Sequence, residues 1–190
     1  MMQDRITKEQ GGLLLRLARE TISTKLGQKL EGKGVIADPA LQAECGTFVT
    51  LRIGGQLRGC IGNLEPVGSI VEGIRRNSLN AAFHDYRFPE LTVDELARVH
   101  IDISILTRPH PLAYLNGGDL IAKLRPGIDG VILRLGRCSA TFLPQVWEQL
   151  PQAEDFLGHL CRKAGLADTA WLDSHPEVET YQVQCFEEGK

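Results

Sequence analysis

Cys45-Gly-Thr-Phe-Val-Thr-Leu-Arg-Ile53, Gly54-Gly55 and Gln56-Leu-Arg-Gly-Cys-Ile-Gly62 read together as a β-hairpin. The first run is rich in β-branched and apolar residues, and the glycine pair suits the positive φ angles of a two-residue hairpin turn. The returning run carries the most suggestive chemistry in the chain. Leu57-Arg58-Gly59-Cys60-Ile61-Gly62 sets a thiol beside a fixed positive charge, with a glycine on either side. An ionised cysteine is a strong nucleophile, and a neighbouring cation favours the thiolate. At spacing two, Arg58 and Cys60 are expected on one strand face, separated only by the bare backbone of Gly59. Gly59 and Gly62 lack a Cβ and let a ligand or another stretch of backbone come close. The competing reading is a tightly packed strand turn whose cysteine acts as a small buried hydrophobe.

Upstream, residues 8 to 30 read as a helix, with Leu14, Ala18, Ile22, Leu26 and Leu30 recurring every four residues. Gly27-Gln-Lys-Leu-Glu-Gly32-Lys33-Gly34 matches the first seven positions of a phosphate-binding P-loop. It follows a helix where a P-loop follows a strand, and Gly34 replaces the magnesium-binding hydroxyl, so a glycine-rich helix end is the better reading. Downstream, a second helix is expected from about Val67 to His84, ended by Asp85-Tyr86-Arg87-Phe88-Pro89. Thr92-Val93-Asp94-Glu95 looks like the capped start of a short helix. Val99 to Leu106 alternates as a strand, with Ile101, Ile103 and Ile105 on one face and His100, Asp102 and Ser104 on the other.

Thr107-Arg-Pro-His-Pro111 is the expected joint between two lobes, near 107–116, because its prolines forbid regular structure. Beyond it come a helix over 119–124, a turn at Gly127-Ile-Asp-Gly130, and a hairpin of 131–135 and 138–142 across Gly136-Arg137. A short helix follows Pro144, another helix runs near 153–164, and a single strand over 178–186 closes the chain. Phe142 and Trp147 read as core. Helices are mixed with hairpin-connected strands, so the fold class is α+β with a mainly antiparallel sheet flanked by helices.

With 190 residues the chain suits one domain, or one domain with two lobes, and its 43% hydrophobic and 24% charged residues are ordinary for a globular protein. The net charge of −3 provides no general attraction to nucleic acid or anionic lipid, so neither is an expected partner. Five scattered cysteines without a C-x-x-C pair argue against a disulfide framework or structural zinc and fit a reducing cytosol. No apolar stretch suits a signal peptide or a membrane span, so a cytoplasmic protein is expected.

A nucleophilic cysteine normally needs a base, and His84, His100, His110, His159 and His175 are available. His84 and Asp85 end the helix after the hexapeptide and could fold back toward it. His100 and Asp102 share a strand face, a spacing that suits a base with its orienting carboxylate or two metal ligands. One His-x-Asp falls short of the three or four ligands a metal wants, so no metal or cofactor is expected. Arg87 could bind a carboxylate or phosphate bidentately, or tie Asp85 or a backbone carbonyl and fix the turn.

The hexapeptide Leu57–Gly62 resembles the hallmark of the AMMECR-type domain family, also called AmmeMemoRadiSam system protein A. The segments Phe48-Val-Thr-Leu51, Asp85-Tyr-Arg-Phe-Pro89, Gly127-Ile-Asp-Gly-Val131, Ala140-Thr-Phe-Leu-Pro-Gln-Val146 and Lys163-Ala-Gly-Leu166 agree in order. The likeness covers about residues 10–186. It implies an α+β fold with a larger and a smaller lobe and a groove between them near the hexapeptide. It also implies association with a Memo-like protein and a radical S-adenosylmethionine enzyme, modifying a small molecule or a polypeptide.

Two functions follow as expectations. In the first, Cys60 is a thiolate nucleophile in acyl or alkyl transfer, Arg58 stabilises the anion, and His84 or His100, the latter with Asp102, is the base. In the second, the chain is a non-catalytic adaptor whose inter-lobe groove holds a peptide, a partner protein or a small anion. Gly59, Gly62, Asp85 and Arg87 are the candidate substrate- or partner-binding positions.

Overall fold

The computed structural model describes residues 5–28, 36 and 38–189. They fall into two compact units, one of Met1–Arg108 with Gln184–Lys190, the other of Pro109–Val183. Helix α1 (Lys8–Lys25) opens the first unit; Thr7 Oγ1 accepts the Gln10 N–H at 3.2 Å, and the Gln10 side chain returns to the Thr7 N–H at 2.8 Å. This reciprocal cap satisfies two amides that the helix itself cannot pair. The helix stops five residues before Leu30: Gly27 adopts a φ of +79°, and the Gln28 N–H reaches back to the Ser23 carbonyl at 3.0 Å. A glycine in this left-handed conformation closes the last turn. Leu30 and the Gly32-Lys33-Gly34 end of the P-loop-like stretch lie outside the described residues.

Strands β1 (Gly46–Ile53) and β2 (Gln56–Asn63) form the expected hairpin, with Gly54 and Gly55 at φ of +58° and +79°. Helix α2 (Ile70–Phe83) starts later than expected, because Ser69 and Glu72 make the cap there. Helix α3 (Val93–Leu96) is capped in the same way by Thr92 and Glu95. Strand β3 (Val99–Leu106) pairs antiparallel with β1 on the side away from β2.

The second unit opens with β4 (His110–Pro111) and helix α4 (Gly117–Lys123). The hairpin of β5 (Gly130–Leu135) and β6 (Cys138–Phe142) follows, then helices α5 (Ala153–Lys163) and α6 (Ala170–Asp173). Trp147, in a 3-10 helix at Pro144–Glu148, stacks on Phe156 with ring centroids 3.7 Å apart. These rings join Leu120, Val131, Leu133, Leu157 and Leu160 in the core of this unit.

The closing strand corrects the expectation of one continuous run. It is two strands, β7 (Glu177–Tyr181) and β8 (Val183–Glu187), that belong to different sheets. The strand orders are β4-β7-β5-β6 and β2-β1-β3-β8, both sheets four-stranded. Apolar alternation continues through Gln182 and hides the change of sheet.

In the first unit, α1 and α2 supply Leu14, Ala18, Ile22, Ile70 and Ile74 to a core with Val49, Leu51, Ile101 and Ile103, all at most 1% exposed. Alternation then turns Thr50, Arg52, Cys60, His100, Asp102, Ser104, Cys185 and Glu187 to the opposite face, away from the α1 and α2 core, where each is half-buried or exposed. Among the described residues no helix is long and apolar enough to cross a membrane.

Candidate functional site

The site begins with a break in the hairpin ladder. Leu51 pairs with Gly59 and Arg52 with Leu57, so Arg58 has no partner and forms a β-bulge. A bulge bends its strand and re-aims a side chain. Regular alternation would set Arg58 beside Cys60 on one face, and the bulge overturns that expectation. The Arg58 guanidinium instead donates to both Glu95 carboxylate oxygens, at 2.9 and 3.0 Å, and to the Pro89 carbonyl at 3.0 Å. Arg58 is 8% exposed, and its charge is spent on the Pro89 carbonyl and on Glu95 of α3.

Each glycine of the hexapeptide faces a neighbour that a methyl group would strike. A Cβ on Gly59 would overlap the Ala81 carbonyl oxygen of α2, and one on Gly62 would overlap the Phe48 ring and the Thr47 carbonyl. The room that each glycine leaves is therefore taken, by helix backbone at Gly59 and by an aromatic ring at Gly62.

Strand β2 lies at the edge of its sheet, and Asp85 and Arg87 hold its backbone at Cys60. Asp85 Oδ2 accepts the Cys60 N–H at 2.9 Å, and Arg87 Nη2 donates to the Cys60 carbonyl at 3.1 Å. The two side chains also bind each other, at 2.9 Å from Arg87 Nε to Oδ1 and 2.7 Å from Nη2 to Oδ2. The pair thus takes the place of a further strand and covers an otherwise unpaired edge. Asp85 is 4% exposed, yet the Arg87 guanidinium holds its carboxyl far below the usual range, against the opposing effect of burial. Arg87 is raised in turn, mostly by Asp85, with Cys60 a smaller contributor. The Phe88 ring has the Arg58 and Arg87 guanidinium carbons 5.8 and 5.6 Å from its centroid.

Cys60 is half-buried, and its sulfur accepts a hydrogen bond from Thr50 Oγ1 at 3.3 Å. No histidine among the described residues is hydrogen-bonded to it. His84 caps α2, is exposed, and has its Nδ1 3.1 Å from Asn80 Oδ1. His100 and Asp102 do share a sheet face with Cys60: Thr50 stands between Cys60 on β2 and Asp102 on β3. His100 Nε2 lies 3.4 Å from Asp102 Oδ1, and Arg52 Nε donates to Asp102 Oδ2 at 2.8 Å. The structure therefore gathers Cys60, His100 and Asp102 on one face and ties Asp85 and Arg87 to the Cys60 peptide, while Arg58 and His84 turn elsewhere.

Sequence reasoning missed Thr50, Glu95 and Glu187. Thr50 follows from hairpin register counted back from the Gly-Gly turn, had the bulge been known. Glu187 arrives from the far end of the chain, and no local signal marks it.

The Arg58–Glu95 pair carries a pH prediction. Arg58, backed by the Thr92 cap, holds the Glu95 carboxyl from an ordinary 4.5 down to about 2. A depressed folded-state value contributes stability above the unfolded value and loses it as pH falls through the folded one. Urea unfolding from pH 6 to 2 is expected to show the wild-type advantage over Glu95→Gln shrinking below about pH 4.5. An advantage constant across that range would contradict the pairing.

The family model described as AMMECR1 matches residues 15–186. A protein of Thermofilum pendens is 36% identical over 97% of this chain and 92% of its own length. One of Methanosarcina mazei is 36% identical over 96% of this chain and 94% of its own. The crystal structure of an uncharacterised protein from Pyrococcus horikoshii superposes with a TM-score of 0.81 at 34% identity, covering 96% of this chain and 93% of that one. The chain belongs to the AMMECR1 family.

Proposed function

We propose that this family member works as one component of a system with a Memo-like protein and a radical S-adenosylmethionine enzyme, with the Cys60 thiol as nucleophile in a group transfer. One observation carries the reading: Arg58, Gly59 and Gly62 each have a task in the fold, and among the described residues the Cys60 thiol has only the Thr50 hydroxyl. Its peptide N–H and carbonyl are both held, while the residue stays half-buried on the face away from the helix-packed core. That is how a scaffold positions a reacting atom. In the step, the thiol gives its proton to water and the sulfur forms a bond to an acyl carbon. The bond from that carbon to its leaving group breaks, and the leaving group departs with the electron pair and picks up a proton. A second acceptor then cleaves the thioester and restores the thiol.

A limiting dose of iodoacetamide at pH 7, followed by peptide mass spectrometry, tests it. Cys60 is expected to label faster than Cys138, which is equally half-buried, and far faster than Cys161, which is enclosed and whose thiol burial pushes up. Labelling no faster than Cys138 removes the nucleophile.

A second reading, the adaptor, is favoured by Tyr86, which stands 94% exposed between the two residues that grip Cys60. It expects Tyr86→Ala to weaken capture of a partner and Cys60→Ala to leave it intact. The reverse pattern removes it.

A further inference from the structure

We infer that His100, Asp102 and Glu187 form a binding site for a first-row divalent metal ion, with zinc as the ion to test. This stands apart from the Cys60 reading and survives if that reading fails. His100 and Asp102 project from β3 to the same face as Cys60, and β8, the next strand of the sheet, brings Glu187 alongside. One imidazole nitrogen and two carboxylate oxygens lie within 4.8 Å of one another. A cation about 2.1 Å from two ligands at a tetrahedral angle holds them about 3.4 Å apart, and His100 Nε2 lies 3.4 Å from Asp102 Oδ1.

The hydrogen bonding around the cluster leaves the right atoms free. Arg52 binds Asp102 through Oδ2 alone, at 2.8 Å, and fixes the carboxylate. Oδ1 is buried, accepts no hydrogen bond, and faces the imidazole. A buried carboxylate oxygen without a donor is costly unless something positive meets it. The Glu187 side chain has neither a hydrogen bond nor an ion pair among the described residues. Arg52 pairs with Asp102, and Glu187 brings a second carboxylate to the cluster, so one negative charge is left over for a cation.

The donor set selects the ion. Calcium takes six to eight oxygen ligands, and magnesium uses carboxylates, phosphates and water, so neither calls for an imidazole. One nitrogen and two carboxylate oxygens suit zinc or a neighbouring transition ion, with one or more positions open to water or to a substrate oxygen.

Calorimetric titration of zinc chloride into the full-length protein tests the site. One ion is expected per chain, with affinity at least about tenfold weaker in His100→Ala and in Glu187→Gln. Glu187 is exposed and its amide replacement nearly isosteric, so that variant keeps the fold even if His100→Ala does not. His159→Ala, an exposed histidine of α5, and Cys185→Ser, a thiol on the same face, are expected to bind as wild type does. No binding by the wild type overturns the site. So does affinity unchanged in Glu187→Gln, or binding that Cys185→Ser abolishes.

Discussion

Replacing Gly59 by alanine is expected to destabilise the protein by about 3 kcal/mol, at the upper end of overpacking costs. The added methyl would overlap the Ala81 carbonyl oxygen, which is helix backbone and has no rotamer to change. Relief requires α2 to lift from the sheet, and α2 carries Ile70, Ile74, Ala81 and Ala82 into the core. For a chain of this size that cost lowers the melting temperature by roughly 6–12 °C. Gly12→Ala is the contrasting substitution. Gly12 lies in α1, where only a flexible Arg16 atom comes near at 3.8 Å. Alanine there is expected to stabilise by roughly 0.5–1 kcal/mol. Thermal unfolding of both variants checks the pair, and a Gly59→Ala protein as stable as wild type would mean the helix does not pack as described.

Asp85→Ala is expected to cost about 3 kcal/mol, because it removes a buried carboxylate that serves three donors. The Cys60 N–H, the Arg87 amide and the Arg87 guanidinium all lose their acceptor. Arg87→Ala is costly for the opposite reason, since it leaves that carboxylate buried with its charge uncompensated. Removing both leaves neither orphan charge, so the double variant should cost less than the sum, by at least about 1 kcal/mol. Chemical denaturation of the three variants measures the coupling, and strict additivity would refute the Asp85–Arg87 pair. Iodoacetamide labelling of the same proteins shows whether a loosened peptide changes the reactivity of the thiol.

Much of the fold is legible in the chain because its punctuation is local. The Gly54-Gly55 turn, the alternation of Ile101, Ile103 and Ile105, and the stop at Asp85–Pro89 each follow from a few adjacent residues. The misses arise where non-local pairing decides. The bulge at Arg58 exists because β1 and β2 differ in count across their ladder, and nothing within Leu57–Gly62 reports that. Alternation across Gln182 hid the passage of the chain from one sheet to the other. The site shows the same division. Cys60, His100 and Asp102 reach one face because two strands keep their period. Arg58 leaves because its strand does not, and Glu187 joins from about 85 positions downstream through sheet order.

The first sheet has three of its strands before residue 107 and its fourth after residue 182, so in the sequence the 109–183 unit is an insertion between them. Vectorial synthesis on the ribosome therefore delivers β3 well before the strand that must flank it. Until β8 emerges, β3 offers an open hydrogen-bonding margin to any passing chain, and chaperone occupancy during translation should concentrate over that interval.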